Sequence, residues 1–203
     1  MIDEGYIKFE SDWTKTAALN YAEIDDLIYW RKPLYAAGLI GHYADVGIGY
    51  GNISARLSQN TGFIISGTQT GHLQELDSSH FALVSKYDIS HNIVSSSGAT
   101  EASSESMTHA AIYELDDKIR AVVHVHSDKL WVGLKGVLPT TNADIAYGTP
   151  QMASEFDRLF SETEFPQTGL AVMAGHDAGL ISIGSNLQEA TERILVLHEE
   201  FMR

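Results

Sequence analysis

The 203-residue sequence contains no cysteine. This absence excludes disulfide bonds, thiolate zinc sites, iron–sulfur clusters and cysteine nucleophiles, and it leaves imidazole and carboxylate groups as ligands for any metal. Basic residues are also scarce, because 13 lysines and arginines face 27 aspartates and glutamates, which gives a formal net charge of −14. Such a field repels phosphate backbones and anionic lipid surfaces. We therefore expect neither a nucleic acid nor a membrane as a partner.

Long hydrophobic runs are missing as well. No apolar stretch approaches the roughly 18 residues that a membrane span requires, and the first segment, MIDEGYIKFE, lacks the basic and apolar parts of a signal peptide. We expect a cytoplasmic protein. The composition, 44% hydrophobic and 20% charged, is that of a folded domain rather than a disordered chain. The length predicts a single domain over residues 1–203, with 1–13 as an irregular N-terminal arm.

The spacing of apolar residues changes along the chain. Helical spacing predicts a first helix over 15–38, which Pro33 either kinks or divides. Residues 44–94 alternate with a period of two and predict several strands. Three further helices are expected: one over 104–115, one that starts at Pro150, and one that follows Asn186 as its cap. Further strands are expected at 121–126 and on both sides of GHDAG. Together these elements predict an α/β fold with a central, mostly antiparallel β-sheet flanked by helices.

The strongest chemical signal is the segment VVHVHS. His124 and His126 are two residues apart on a predicted strand, so both imidazoles face the same side, about 6–7 Å apart along the strand. They could share one metal ion, or they could be sheet histidines satisfied by hydrogen bonds. His176, in the predicted GHDAG turn, is either a third ligand or a solvated turn residue, and Asp177 beside it is a competing ligand.

A second candidate group lies at the start of the helix predicted over 104–115. Ser103, Ser104 and Glu105 fit a serine cap with an acidic first turn, which stabilises a helix without any further function. The same groups can bind an anion such as phosphate at the free helix amides, with Glu105 as a general base. His109 lies one turn later on the same face and could hydrogen-bond Glu105.

Two glycine-rich segments complete the candidates. Residues 47–54, GIGYGNIS, do not match G-x-G-x-x-G and lead into a strand pattern, which excludes a dinucleotide-binding loop. Residues 66–71, SGTQTG, form either a simple turn or a set of amides and hydroxyls around an anion. A cupin site is disfavoured, because it would need a glutamate a few residues after the histidine pair and the first glutamate after His126 is Glu155.

Taken together and in order, these segments resemble the class II aldolase/adducin family, of the fuculose-phosphate aldolase and ribulose-phosphate epimerase type. The resemblance covers about residues 20–200. The matching segments are GNIS at 51–54, the Thr-Gly turn ending at Gly71, SSE at 103–105 with His109, VVHVH at 122–126, and His176 followed by GLISIG.

The resemblance implies a metal-dependent lyase that cleaves a carbon–carbon bond of a small sugar phosphate through a metal-stabilised enediolate. It implies a divalent metal, with zinc as the expected ion, and a homotetramer with active sites at subunit contacts. Glu105 is the implied acid/base residue. The implied metal ligands are His124, His126 and His176, and the implied phosphate contacts are Asn52, Thr70, Gly71, Ser103 and Ser104.

The sequence departs from the aldolases in two places. Their metal-binding histidine directly precedes a glycine, whereas Ala178 precedes Gly179 here, so a two-residue bulge must reposition His176. Tyr147 aligns only loosely with the tyrosines that serve the aldolases as proton donors or substrate contacts. A sugar-phosphate epimerase or dehydratase would use the same metal and Glu105, and a non-catalytic adducin-like interaction module is the alternative from another class. We favour catalysis, because a scaffold has no need of three histidines together with Glu105.

Overall fold

In the computed structural model, which describes residues 5–58 and 62–203, an eight-stranded sheet lies between two layers of helices. The strands are β1 (Glu10–Lys15), β2 (Gly41–Tyr43), β3 (Ile48–Tyr50), β4 (Asn52–Arg56), β5 (Phe63–Ser66), β6 (Phe81–Asp88), β7 (Ile93–Gly98), β8 (Ala121–His126), β9 (Leu170–Val172) and β10 (Gly179–Gly184). The helices are α1 (Glu23–Ala36), α2 (Ser106–Leu115), α3 (Asp128–Leu134), α4 (Pro150–Glu162), α5 (Phe165–Thr168) and α6 (Leu187–Phe201).

The order of strands in the main sheet is β1-β7-β6-β5-β4-β8-β10-β9. All neighbours are antiparallel except β1 and β7, which are parallel. β2 and β3 form a separate antiparallel hairpin. The predicted α/β fold with a central, mostly antiparallel sheet is therefore confirmed.

The central strands are buried on both faces. Along β8, Val123 and Val125 pack in the core under α1 and α6, whereas Val122 packs in the opposite core under α2 and α4. His124 and His126 share the face of Val122, so they lie in the layer beneath α2. A polar side chain in such a place costs free energy unless it is hydrogen-bonded or bound to a ligand. The burial of β8 thus requires a hydrogen-bond partner or a ligand for each of its histidines.

The N-terminal region differs from the prediction. Helix α1 begins at Glu23 rather than at residue 15, and part of the predicted irregular arm belongs to β1. β1 is an edge strand whose side chains are mostly exposed, and its backbone pairs with β7. Apolar alternation could not reveal it, because it is held by main-chain hydrogen bonds rather than by a buried face. Pro33 lies inside α1 without dividing it.

The later elements follow the sequence signals closely. Pro150 occupies the first turn of α4, and the Asn186 side chain caps α6 by accepting a hydrogen bond from the Glu189 amide at 2.8 Å. β9 and β10 flank the GHDAG connection as predicted. Across residues 5–58 and 62–203, no helix is both long and apolar enough to span a membrane.

The strand register brings the candidate residues to one end of the sheet. Asn52, the first residue of β4, pairs with His124, and Gly179, the first residue of β10, pairs with His126. Since these neighbours are antiparallel, the start of β4 and the end of β8 meet at the same end of the sheet. β5 and β7 also end there, which places the segments 67–71 and 99–105 beside the histidines.

Candidate metal centre

Three histidine rings converge at this end of the sheet. The Nε2 atoms of His124 and His126 are 3.0 Å apart, and His176 reaches them from the connection between β9 and β10. One ring nitrogen from each histidine lies within 4.8 Å of the other two. The three side chains are at most 4% exposed. This group could therefore bind one metal ion.

A tight turn accommodates the departure in sequence around His176. The amide of Gly179 donates to the carbonyl oxygen of His176 at 2.9 Å, and the His176 amide donates to the Met173 carbonyl oxygen at 3.1 Å. Ala178 adopts a left-handed conformation with φ of 62°, which an L-residue other than glycine adopts at a cost of about 1–2 kcal/mol. The additional residues between His176 and Gly179 are thus absorbed by the turn.

Glu105 lies against the histidines and is 1% exposed. Its Oε1 atom is 2.9 Å from His176 Nδ1 and 3.9 Å from His124 Nε2. Its buried Oε2 atom accepts no hydrogen bond from any residue that the structure describes. Buried carboxylate oxygens are normally hydrogen-bonded or bound to a cation, and three imidazoles with a carboxylate are a donor set that suits zinc. The residues present therefore fit a divalent ion.

The electrostatics of the site agree with this fit. Burial alone would raise the pKa of Glu105, but the neighbouring His124 and His176 outweigh burial and lower this pKa from 4.5 to about 2. Burial, together with the charges of His176 and His124, holds the pKa of His126 well below 6.5. At neutral pH the site thus offers an ionised carboxylate and a neutral imidazole, the forms in which both groups bind metals.

The start of α2 differs from the simple serine cap that the sequence suggested. Glu105 itself occupies the N-cap position and makes no side-chain cap hydrogen bond. Ser103 Oγ accepts a hydrogen bond from the Glu105 amide at 3.2 Å, and Ser106 Oγ donates to the Ser103 carbonyl oxygen at 2.6 Å. Ser104 is buried beside them. Because the serines organise the turn, the carboxylate of Glu105 is directed to the histidines.

The ring of His109 does not hydrogen-bond the Glu105 carboxylate, contrary to the possibility raised by their spacing, although the His109 amide donates to the Glu105 carbonyl oxygen at 3.0 Å. Its Nδ1 atom is 2.7 Å from Ser54 Oγ, which is also 2.7 Å from the Tyr113 hydroxyl. The sequence could not indicate this partner, because Ser54 lies on β4, far away along the chain. Burial lowers the pKa of His109 from 6.5 to about 3, so the ring is neutral under physiological conditions.

The loop after β5 lies beside the segment that leads to Glu105. The Thr68 amide donates to the Glu101 carbonyl oxygen at 2.9 Å and joins the two segments. Thr70 Oγ1 donates to the Gly67 carbonyl oxygen at 2.8 Å. Asn52 is buried opposite His124, and no described residue donates a hydrogen bond to its Oδ1 atom. These residues thus share one end of the sheet with the serines before α2.

Arg31 of α1 binds the backbone of the loop after β5, and the sequence analysis did not single it out. It is 2% exposed, and its Nη2 atom donates to the carbonyl oxygens of Thr70 and Gly71 at 3.2 Å each. Burial lowers the pKa of Arg31 from 12.5 to about 10, so the guanidinium stays charged at neutral pH. Gly71 is required sterically, because a methyl group there would overlap the carbonyl oxygen of Gly41 in β2.

Tyr147 packs on the candidate metal centre. Its ring centroid is 4.3 Å from that of His176, and Lys8 Nζ lies over the Tyr147 ring, 3.7 Å from its centroid. The Tyr147 hydroxyl donates to the Tyr6 carbonyl oxygen and accepts from the Tyr6 amide, both at 3.2 Å. Tyr147, which aligns only loosely with the tyrosines of the aldolases, thus contacts His176 through its ring, and its hydroxyl faces the N-terminal segment.

Comparison with known proteins gives one family and one fold. The model of the family described as "Class II Aldolase and Adducin N-terminal domain" matches residues 34–202. A sugar-phosphate aldolase from Thermotoga maritima is 17% identical, with a TM-score of 0.66 over 88% of this chain and 91% of that chain. L-fuculose-1-phosphate aldolase from Thermus thermophilus is 20% identical, with a TM-score of 0.64 over 88% of this chain and 90% of that chain. No curated protein matches the sequence significantly.

Proposed function

Because the chain belongs to the class II aldolase and adducin family, we propose that it is a metal-dependent lyase that cleaves a carbon–carbon bond of a small sugar phosphate. The observation that carries the proposal is the convergence of three buried histidines on the ionised carboxylate of Glu105. An interaction module gains nothing from a buried carboxylate whose Oε2 atom accepts no hydrogen bond from the described residues. A catalytic site uses such a group.

His124, His126 and His176 would hold the metal. We expect zinc, because it binds imidazole nitrogens well and because catalytic zinc sites characteristically have three protein ligands with a further position open to substrate. When bound, the ion supplies Lewis-acid stabilisation of the negative charge that develops on the substrate oxygens during bond cleavage.

Glu105 would hold and move the substrate proton. It is ionised in the free protein, since its pKa is lowered to about 2, so it starts as a proton acceptor. Its buried Oε2 atom is not engaged by a donor among the described residues and can accept a proton there. In the cleavage direction Glu105 would take the proton of the substrate hydroxyl that becomes the new carbonyl and return it to the carbon that loses its partner. The synthesis direction would reverse both transfers.

Neutral groups at the same end of the sheet would bind the substrate phosphate. Asn52 begins β4, and the other groups lie on the loop after β5 and before the N-terminus of α2, where free helix amides favour an anion. The buried charge of Arg31 lies behind this loop and compensates locally for the acidic net charge. The proposed phosphate contacts are Asn52, Thr70, Gly71, Ser103 and Ser104.

We extend the proposal to a homotetramer with active sites at subunit contacts. Analytical ultracentrifugation would test the tetramer.

The replacement Glu105→Gln tests the catalytic assignment. Zinc-loaded protein is incubated with a panel of ketose phosphates and their non-phosphorylated analogues, and NMR of the products distinguishes cleavage from epimerisation and dehydration. We expect Glu105→Gln to lower kcat by about 10²-fold or more while zinc remains bound, because proton transfer by a positioned group contributes about 10²–10⁴-fold.

Glu200→Gln is the matched control, since Glu200 is exposed at the end of α6. It should leave kcat unchanged. Wild-type turnover in Glu105→Gln would refute the role of Glu105. Equal efficiency on phosphorylated and non-phosphorylated substrates would refute the phosphate contacts.

A further inference from the structure

The β2–β3 hairpin places two tyrosines beside the candidate metal centre. Tyr43 pairs with Ile48, and Tyr50 pairs with Gly41, so both tyrosines lie on the same face of the hairpin. The Tyr43 hydroxyl is 2.9 Å from Nδ1 of His126. The Tyr50 ring stacks on the His126 ring, with 5.3 Å between centroids and 26° between planes. The hairpin thus contacts His126 both at an edge atom and over the ring.

The hairpin is fixed in this place by contacts on both of its strands. The Gly49 amide donates to Gln69 Oε1 at 3.3 Å, and the Tyr50 hydroxyl donates to the Gly38 carbonyl oxygen at 3.2 Å. The backbone of Gly71 lies directly against the hairpin, where a side chain would not fit. The position of Tyr43 relative to His126 is therefore set by the fold.

The two histidines of β8 use their ring nitrogens in parallel ways. His124 Nδ1 is 3.1 Å from the Leu180 carbonyl oxygen, and its Nε2 atom faces the His126 Nε2 atom. A carbonyl oxygen only accepts, so Nδ1 of His124 carries a proton, and in the neutral ring Nε2 presents a lone pair. In His126 the Tyr43 hydroxyl faces Nδ1 in place of a carbonyl oxygen, so either ring nitrogen of His126 can carry the proton.

This difference matters for metal binding. An ion at the histidines needs the lone pair on Nε2 of His126, which requires the proton on Nδ1 and an acceptor next to it. The Tyr43 hydroxyl is such an acceptor, and because a hydroxyl also donates, it stays bonded when the proton moves to Nε2. We infer that Tyr43 is a positioning residue that orients His126 and accepts the hydrogen bond of Nδ1 when Nε2 binds the metal. The inference rests on the proposed function in one respect, namely that His126 binds the metal.

The test compares Tyr43→Phe with Tyr50→Phe, two variants that each remove one hydroxyl from the same face of the hairpin. Zn²⁺ affinity is measured by competition with a chromogenic chelator. We expect Tyr43→Phe to weaken Zn²⁺ binding by about 10–100-fold, the usual effect of losing a partner of a ligating histidine. Tyr50→Phe keeps its ring over His126 and loses only the bond to Gly38. The Gly49 bond to Gln69 and the close approach of Gly71 still fix the hairpin, so the Zn²⁺ affinity should stay within about threefold of wild type.

A second measurement separates positioning from a purely structural effect. The absorption spectrum of bound Co²⁺ reports the ligand field, and we expect its bands to shift in Tyr43→Phe but not in Tyr50→Phe. Both variants should fold in EDTA because both rings stay in place, and Tyr43→Phe should melt at or below the temperature of Tyr50→Phe because buried His126 loses the hydroxyl at Nδ1. Equal Zn²⁺ affinities and identical Co²⁺ spectra in the two variants would overturn the inference. A lower melting temperature of Tyr43→Phe with an unchanged Co²⁺ spectrum would overturn it as well.

The possible results also distinguish this inference from the proposed lyase activity. Weak Zn²⁺ binding in Tyr43→Phe alone, with no cleavage of any sugar phosphate by the wild-type protein, supports the role of Tyr43 and contradicts the lyase. Cleavage by the wild type, with equal Zn²⁺ affinity in both variants, supports the lyase and overturns the role of Tyr43. A wild-type protein that binds no Zn²⁺ overturns both.

Discussion

His109 allows a quantitative test of the environment under α2. The replacement His109→Asn removes the titratable ring and keeps a short polar side chain close to Ser54, which lies 2.7 Å from Nδ1 of His109. Burial lowers the pKa of His109 to about 3, whereas the unfolded chain retains the ordinary value of 6.5. Below pH 6.5 the unfolded state therefore binds more protons than the folded state, and the free energy of unfolding falls as the pH decreases from about 7 towards 3.

The size of this effect follows from the two pKa values. Between pH 7.5 and pH 5.5 the histidine of the unfolded chain becomes about 90% protonated, while buried His109 stays neutral. The linkage relation then gives a loss of about 1.4 kcal/mol from His109 alone. Buried His126 contributes a loss of the same sign, but it is present in both proteins and cancels in their difference.

Urea denaturation of the wild type and of His109→Asn at the two pH values measures this difference. EDTA in all samples keeps both proteins free of metal, so that ligand binding does not add to stability. We expect the wild type to lose about 1.4 kcal/mol more than the variant between pH 7.5 and pH 5.5. Equal losses would refute the buried, neutral state of His109.

Two further replacements test the loop after β5. Gly71→Ala should lower the free energy of unfolding by about 1–3 kcal/mol, because the added methyl group overlaps the Gly41 carbonyl oxygen; an unchanged value in urea denaturation would contradict this close approach. Arg31→Met leaves the carbonyl oxygens of Thr70 and Gly71 without the guanidinium donor and should cost about 2–6 kcal/mol, at roughly 1–3 kcal/mol for each. Arg31→Lys keeps the charge and should lie between wild type and Arg31→Met, and equal stability of the two variants would contradict a role for the charge.

The sequence predicted those parts of the fold whose signals are local. The helix of Pro150, the Asn186 cap and the strands around GHDAG depend on neighbouring residues, and the structure has them as predicted. β1 was missed because its mostly exposed side chains carry no apolar alternation. The first helix was predicted to begin too early because Leu19 and Ala22 continue the apolar helical spacing, whereas α1 begins only at Glu23.

In the candidate site, too, the sequence predicted the features that depend on neighbouring residues and missed those that depend on contacts between distant segments. His124 and His126 could be placed on one face of a strand from their spacing, and the structure has them there. Their approach to Glu105 depends on the order of the strands and on the turn at His176, which spacing does not determine. Tyr43 was not found at all, because its partner lies 83 residues away along the chain.

The metal content of the protein tests the central claim most directly. Untagged protein is purified without chelators, reconstituted with Zn²⁺ and analysed for metal by elemental analysis, in parallel with His176→Gln. The account predicts about one divalent ion per wild-type chain and a large loss in His176→Gln, since three ligands are needed to hold a catalytic zinc ion. A wild-type protein without metal after reconstitution, or a His176→Gln variant that binds as much metal as the wild type, would contradict it.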